Sequence, residues 1–266
     1  MSLLKCLICH PIGRVLLLIL LSTFAYCQIM KHSKPRSNPL SSLSPEEYAD
    51  GKLRATDAAQ RVTPLLQNQL QEKQLKLGAP IFIRIFKQSL ELEIWIESSV
   101  TQKFEHFKTY PIAGMSGALG PKLAEGDRQA PEGFYAVSKR LMNPRSRYHL
   151  AFNIGYPNSY DRSLGRTGSA IMVHGSTVSI GCFAMTDAKI EEIYTLCDAA
   201  LKHGQPFFRV HCFPFQLTEE SLSQHKEHQW LSFWEELQPG YLFFEQHRRP
   251  PNVLMQQGSY QFETDS

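Results

Sequence analysis

The spacing of apolar residues changes period several times along the chain, and each change predicts an element. Ser44, Pro45, Glu46 and Glu47 form a capping box with Pro at the first helical position, so a helix is predicted to start there. A second start is expected at Thr63 and Pro64, leading to Leu75, with Gly78 closing the helical part. From Pro80 the period shortens to two. Residues 81–86 and 91–96 alternate or run apolar across the short polar link Lys87, Gln88 and Ser89, which predicts a hairpin. Further strands are expected at 104–113, 133–137, 149–154 and 170–173. Helical spacing returns in residues 186–203, where Ile190, Ile193, Tyr194, Cys197 and Leu201 form one stripe and Thr186 is the expected N-cap. A strand at 205–212 follows. A last helix is signalled by Thr218, Glu219 and Glu220 and expected to run through Trp230, Phe233, Trp234 and Leu237 to Pro239; the tail from Pro250 reads as irregular. The loops 114–132 and 155–168, rich in Gly and Pro, are long for simple connections, and long ordered loops on a β scaffold commonly carry substrate contacts. The pattern describes a mainly β (α+β) unit with helical N- and C-terminal extensions and no internal repeat.

Ahead of the first helix the pattern is different. Lys5 and Arg14 precede an apolar run from Val15 to Cys27, too short to span a bilayer comfortably and followed by small residues. This predicts a cleavable export signal over residues 1–27; an uncleaved anchor is the alternative. Residues 28–43, rich in Ser, Pro and basic side chains, read as a linker. The expected organisation is a signal peptide at 1–27, a linker and helical extension at 28–77, a catalytic domain at 78–215 and a helical C-terminal extension at 216–266. No other segment predicts a membrane span in the mature form, which places the body on the exported side, in the periplasm.

With 266 residues and 42% hydrophobic residues the chain can bury a full core. Its formal charge of +3 falls to about +1 once Lys5 and Arg14 leave with the leader, which removes the electrostatic footprint of a nucleic-acid binder. Of six cysteines, Cys182, Cys197 and Cys212 lie beyond the leader. An odd number in an exported chain leaves at least one thiol unpaired. Cys197, on the helical stripe, reads as a buried small hydrophobe in preference to a disulfide partner of Cys212. Cys182, between Gly181 and Phe183, follows an expected strand and precedes a helix start, where a reactive thiol is usually placed.

His174 and Cys182 flank a Gly-bearing reversal. A thiolate attacks acyl carbons, and a nearby imidazole can take the thiol proton and later hand it to a leaving amine. Residues 178–180 are expected as a short return strand, making a hairpin in which positions 174 and 182, of equal parity, share a face. Gly181 would let the amides of Gly181 and Cys182 aim together at a substrate oxygen, and the helix near Thr186 would favour thiolate. The same pair also reads as a buried thiol beside a satisfied edge histidine. A metal site is disfavoured: no second ligand pair stands at finger-like spacing, and His211 and Cys212 fall on opposite strand faces. No cofactor is implied.

The string from His174 and Gly175 through Ser179 to Gly181 and Cys182 resembles the active-site signature of L,D-transpeptidases of the YkuD family, and within it the YafK-like branch of exported murein enzymes. Collinear matches accompany it at Gly120, Pro121 and Lys122, at Glu125 to Asp127, at Pro131 to Tyr135, at Asn153 to Asn158, at Tyr160 and Asp161, and from Phe233 to Tyr241. The resemblance implies a YkuD-like β-sandwich, Cys182 as nucleophile, His174 as general acid and base, and the Gly175 carbonyl orienting the imidazole. Ser179, Gly181 and the Cys182 amide would shape the oxyanion pocket. It implies peptidoglycan stem peptides as substrate, attack at the L-centre of diaminopimelate, release of the following D-residue, and an acyl-enzyme passed to an amine or to water. Two departures matter: the His–Cys interval is short, and Ala184 stands where the broad family commonly has Arg. Carboxylate recognition would then fall to Lys122, Arg128, Arg147 or Arg166 in the long loops, with Tyr156 beside them. YafK-like relatives are also associated with detaching Braun-type lipoprotein from murein, so an amidase with the same site is the alternative. A sortase, with Arg209 as its later arginine, is disfavoured by the short interval, and a papain-like hydrolase by residue order. A peptidoglycan-binding module with an inert Cys182 is the non-enzymatic reading.

Overall fold

The computed structural model describes residues 45–256 and 258–263; the expected leader, the linker and the Ser44 cap lie outside the described residues. Helix α1 (Pro45–Glu72) runs through Pro64 without interruption. The second start expected at Thr63 is therefore absent. Pro64 gives up one backbone donor, but Ala58, Leu66 and Leu70 on either side of it are buried against the core, and that packing outweighs the local break signal.

A five-stranded sheet carries the fold, in the order β3-β2-β1-β9-β4. Its strands are β1 (Ile81–Phe86), β2 (Glu91–Glu97), β3 (Phe104–Pro111), β4 (Gly133–Ser138) and β9 (Phe207–Phe213). The predicted hairpin is present, with Ile81 opposite Ile96 and Phe86 opposite Glu91. Strand β1 is buried at every position, so it runs apolar instead of alternating. Its one charged residue, Arg84, is paired to Glu93 and Glu245 at 2.8 and 2.5 Å and lies 4.9 Å from the rings of Trp95 and Phe244.

A second sheet, β5-β6-β7-β8, comprises β5 (Met142–Asn143), β6 (Ala151–Asn153), β7 (Met172–His174) and β8 (Phe183–Ala184). Both sheets contribute to one core, with Ile83, Val210, Phe152, Val173 and Phe183 among its members. The short helix α2 (Ser159–Ser163) lies between β6 and β7 and is held by an Asn158–Asp161 capping box. Helix α3 (Asp187–Lys202) presents Ile190, Ile193, Tyr194 and Cys197 to the core, as its stripe predicted. All three cysteines among the described residues are free, with Cys197 and Cys212 buried.

The C-terminal segment differs from expectation. One helix was expected from Thr218 to Pro239; the structure has two, α4 (Glu219–Gln224) and α5 (Leu231–His247), and α5 continues through Pro239. Residues after Pro250, expected to be irregular, form the hairpin β10 (Asn252–Gln256) and β11 (Ser259–Glu263). The cause is tertiary: Tyr260 and Phe262 meet Phe134 edge-on at 4.9 and 5.2 Å, giving an isolated hairpin a surface to cover. Trp234 of α5 donates to Glu132 at 2.8 Å. Glu132 in turn pairs with Lys87, whose ammonium also donates to the carbonyls of Gly120 and Ala130. This buried network fixes both ends of the 120–130 loop next to the site.

Candidate active site

His174 ends β7, and Cys182 immediately precedes β8. The expected hairpin between them is replaced by a parallel pair, with Val173 opposite Phe183 and His174 opposite Ala184. Residues 178–180 form no strand, and 175–182 instead cross over and return in the same direction. The shared face survives this correction: the register carried back one residue sets Cys182 beside Met172, two positions from His174. The Met172 amide donates to the Cys182 sulfur at 3.4 Å, and the thiol faces the Ala170 carbonyl at 3.6 Å. Strand β8 is sewn to the preceding loop by the Ala184 amide to Gly114 and by the Ala113 amide to Ala184.

The imidazole is 2% exposed. Its Nδ1 lies 2.5 Å from the Gly175 carbonyl, which only accepts, so Nδ1 carries the proton and Nε2 keeps its lone pair. Burial pushes His174 below its ordinary pKa, opposed by that carbonyl contact. Burial pushes the Cys182 thiol up, opposed by the Met172 amide and the charge of Lys122. The resting pair is therefore thiol and neutral imidazole. The helix expected to favour thiolate does not prevail over burial, which sets the upward direction of the Cys182 shift. Thr186 occupies the N-cap position with φ 73° and no side-chain cap; Asp187 instead accepts from the Ser176 amide at 2.7 Å. A side chain at Gly175 would meet Asp187 at 2.5 Å and the Tyr148 carbonyl at 2.6 Å, so only glycine fits beside the histidine.

Ser179 donates to the Cys182 carbonyl at 2.7 Å, holding the turn before the nucleophile. Gly181, at φ 85°, takes a backbone angle that glycine favours. Its amide donates to Ser116 Oγ at 2.6 Å, and Ser116 donates onward to the Arg128 carbonyl. The Gly181 amide is thus engaged by Ser116, which corrects the expectation that it pairs with the Cys182 amide toward a substrate oxygen.

The expected carboxylate binders divide. Arg166 is buried, pairs with Asp161 at 2.9 Å and lies against Phe233; it holds the loop and does not reach outward. Tyr156 is buried, its hydroxyl donating to the carbonyls of Lys122 and Thr167. Lys122 is buried too, bonded to Asp127 at 2.5 Å and to the Ala124 carbonyl, so it bears on the sulfur through its field and not as a surface contact. Arg128 and Arg147 are exposed.

The sequence reading missed Tyr148, whose ring lies 4.8 Å from that of His174, and Ser116, whose only sequence signal is a small polar residue between Gly114 and Gly117. Among the described residues, no three His, Cys, Asp or Glu side chains are grouped to hold a metal, and no helix is long and apolar enough to cross a membrane.

Residues 98–208 match the L,D-transpeptidase catalytic domain, YkuD. The chain is 43% identical over 188 residues to YafK of Escherichia coli strain K12, a protein named as an L,D-transpeptidase, covering 71% of this chain and 76% of the relative; the O157:H7 protein gives the same values. Similar solved structures include a variant of the helical cell shape determining protein Pgp2 from Campylobacter jejuni, at 21% identity and TM-score 0.41, covering 66% of this chain and 62% of that one. Another is Bd1075 of Bdellovibrio bacteriovorus, at 16% identity and TM-score 0.38, covering 67% and 78%. With the domain match spanning both His174 and Cys182 and a 43% identical relative over most of its length, the chain belongs to the YkuD family of L,D-transpeptidases.

Proposed function

We propose that the protein is an exported cysteine acyltransferase that remodels peptidoglycan through an acyl-enzyme on Cys182. The observation that carries this reading is the fixed tautomer of His174: with Nδ1 held on the Gly175 carbonyl, Nε2 is the base available on the face it shares with Cys182. Nε2 takes the thiol proton as sulfur attacks the carbonyl at the L-centre of diaminopimelate in a stem peptide. The Cys182 amide would bear on the oxyanion, with Ser179 holding the turn that presents it. His174 then protonates the departing amine of the D-residue, and the C–N bond breaks to leave a thioester. An incoming amine from a second stem, deprotonated by Nε2, forms the new amide and releases Cys182. The leader at 1–27 would deliver the chain to the periplasm, where murein lies.

A second reading has the same thioester hydrolysed by water, detaching a Braun-type lipoprotein from diaminopimelate. One observation favours it. Ala184 fills the position of the family's arginine and is fully buried against Gly114, while Arg166 is spent on Asp161. Of the four cations expected to recognise a leaving residue's carboxylate, Lys122 and Arg166 are bonded inward and Arg128 and Arg147 are exposed, and a protein lysine linked through its side chain needs no such cation. Incubating the protein with lipoprotein-bearing sacculi, with Cys182→Ala as control, separates the two: new stem–stem bonds support transfer, and free lipoprotein without new bonds supports hydrolysis. If neither product depends on Cys182, the acyl-enzyme reading fails.

A further inference from the structure

Three successive peptide units cross the nucleophile, and serine hydroxyls pin the outer two. Ser179 donates to the Cys182 carbonyl at 2.7 Å, which fixes the unit that follows the cysteine. Ser116, 65 residues upstream, accepts from the Gly181 amide at 2.6 Å, which fixes the unit that joins Ile180 to Gly181. The unit between them carries the Cys182 amide. Among the described residues, that amide donates to no group of the protein.

The hinge between the first two units is Gly181, at φ 85°. Glycine rotates more freely than any other residue, so nothing in its own chemistry keeps the Cys182 amide aimed. Ser116 supplies the restraint. Its hydroxyl proton goes to the Arg128 carbonyl at 2.7 Å, which leaves a lone pair for the Gly181 amide. Its own carbonyl accepts from the Ala130 amide at 3.2 Å, so the serine is tied to the far limb of its loop at two points. The Gln129 side chain closes the same loop by bonding to Ala118 and Gly120. That limb also stands against the hinge, where a side chain on Gly181 would meet the Gln129 carbonyl at 3.3 Å. Lys87 and Glu132 hold the base of the loop in the core.

We propose that Ser116 is a positioning residue for acyl transfer: through the Gly181 hinge it keeps the Cys182 amide aimed at the oxygen of the carbonyl that the sulfur attacks. This inference rests on the acyl-enzyme reading of Cys182. As sulfur bonds to the carbonyl carbon, the π pair moves onto oxygen, and a donor already in place meets that charge without reorganising. The serine touches no reacting atom. The thiol and imidazole owe their contacts to Met172, Ala170 and Gly175. Loss of Ser116 should therefore slow acylation and leave the reactivity of the thiol itself unchanged.

The test compares wild type, Ser116→Ala and Ser116→Thr in the full-length protein. Rapid quenching with a purified tetrapeptide stem gives the limiting rate of acylation and the half-saturating concentration. Alkylation by iodoacetamide, which passes through no oxyanion, reads the thiol alone, and thermal melts report the fold. In Ser116→Ala the limiting acylation rate should fall about 10- to 100-fold, less than outright loss of an oxyanion donor, with half-saturation and alkylation within about twofold of wild type. Ser116→Thr keeps the hydroxyl and should acylate within about threefold of wild type. An undiminished acylation rate in Ser116→Ala, a parallel fall of acylation and alkylation, loss of its cooperative melt, or equal impairment in Ser116→Thr would each overturn the inference. A wild-type protein that forms no thioester fails at the reading of Cys182 itself, and the inference falls with it.

Discussion

The Tyr148 ring lies 4.8 Å from the His174 imidazole, tilted by 32°, and remains 47% exposed. It forms the wall between the base and solvent, and its backbone carbonyl packs against Gly175, which holds the other side of the imidazole. Replacing Tyr148 with Ala should lower kcat/KM by about tenfold, the scale of a misoriented general base. It should also move the acid limb of the rate profile upward, since opening the site relieves the burial that depresses His174. Tyr148→Phe should keep both. Rate profiles of the three proteins against pH check this; an unshifted limb in Tyr148→Ala contradicts it.

Arg54 of α1 fixes the loop that carries Tyr148, donating to the carbonyls of Ser146 and His149 at 3.1 Å each. Arg61 and His149 meet on Glu191 alongside, tying α1 to α3. Arg54→Ala should lower stability by about 1–2 kcal/mol through the two lost charge-assisted bonds, and should reproduce part of the Tyr148→Ala pH shift. Denaturant melts and the same rate profile measure the two effects; wild-type behaviour in both shows the helix to be a bystander.

Lys122 acts on the sulfur through its field, and its own charge is secured by Asp127, whose carboxyl is held down to about 2 by backbone amides and Lys122 against the opposing effect of burial. Lys122→Met should move the pH dependence of iodoacetamide alkylation at Cys182 to higher pH. It should also destabilise the loop, so Lys122→Met with Asp127→Asn, which removes the stranded charge, should recover stability but not the alkylation profile. An alkylation midpoint unchanged in the single variant removes Lys122 from the account.

The two buried histidines give stability a defined pH dependence. Both His174 and His211 are lowered in the fold, so below an unfolded value of about 6.5 the unfolded chain binds protons that the folded chain refuses. Stability is therefore full above that value and falls as pH drops through it. His211→Phe should flatten the fall between about pH 6.5 and 5. Urea melts at several pH values test it, and an unchanged slope contradicts the burial assigned to His211.

Local signals were legible where local chemistry decides. The β1–β2 hairpin, the α3 stripe and the shared face of positions 174 and 182 all follow from spacing, although the hairpin expected to join those two positions is absent, and the class of fold followed with them. The resemblance around His174 and Cys182 named the family that the 43% identical relative shows. What spacing could not show depends on contacts between distant segments. Pro64 and Pro239 sit inside helices because apolar faces on both sides are packed down. The β7–β8 pair is parallel, and Gly114 and Ala113, some seventy residues earlier, claim the other edge of β8. Arg166 looked like a surface cation in a long loop, and only the fold reveals Asp161 beneath it. Tyr148 carries no motif at all; Arg54, 94 positions upstream, helps to place it.

The central claim is a covalent bond between Cys182 and the stem peptide. Rapid acid quenching of the protein with a purified tetrapeptide stem, followed by peptide mass spectrometry, tests it directly. The account predicts an adduct on the Cys182 peptide equal to the stem minus its terminal D-residue, formed faster as pH rises through the lowered His174 range and absent in Cys182→Ala. Turnover of the stem with no such adduct, and undiminished in Cys182→Ala, would contradict it.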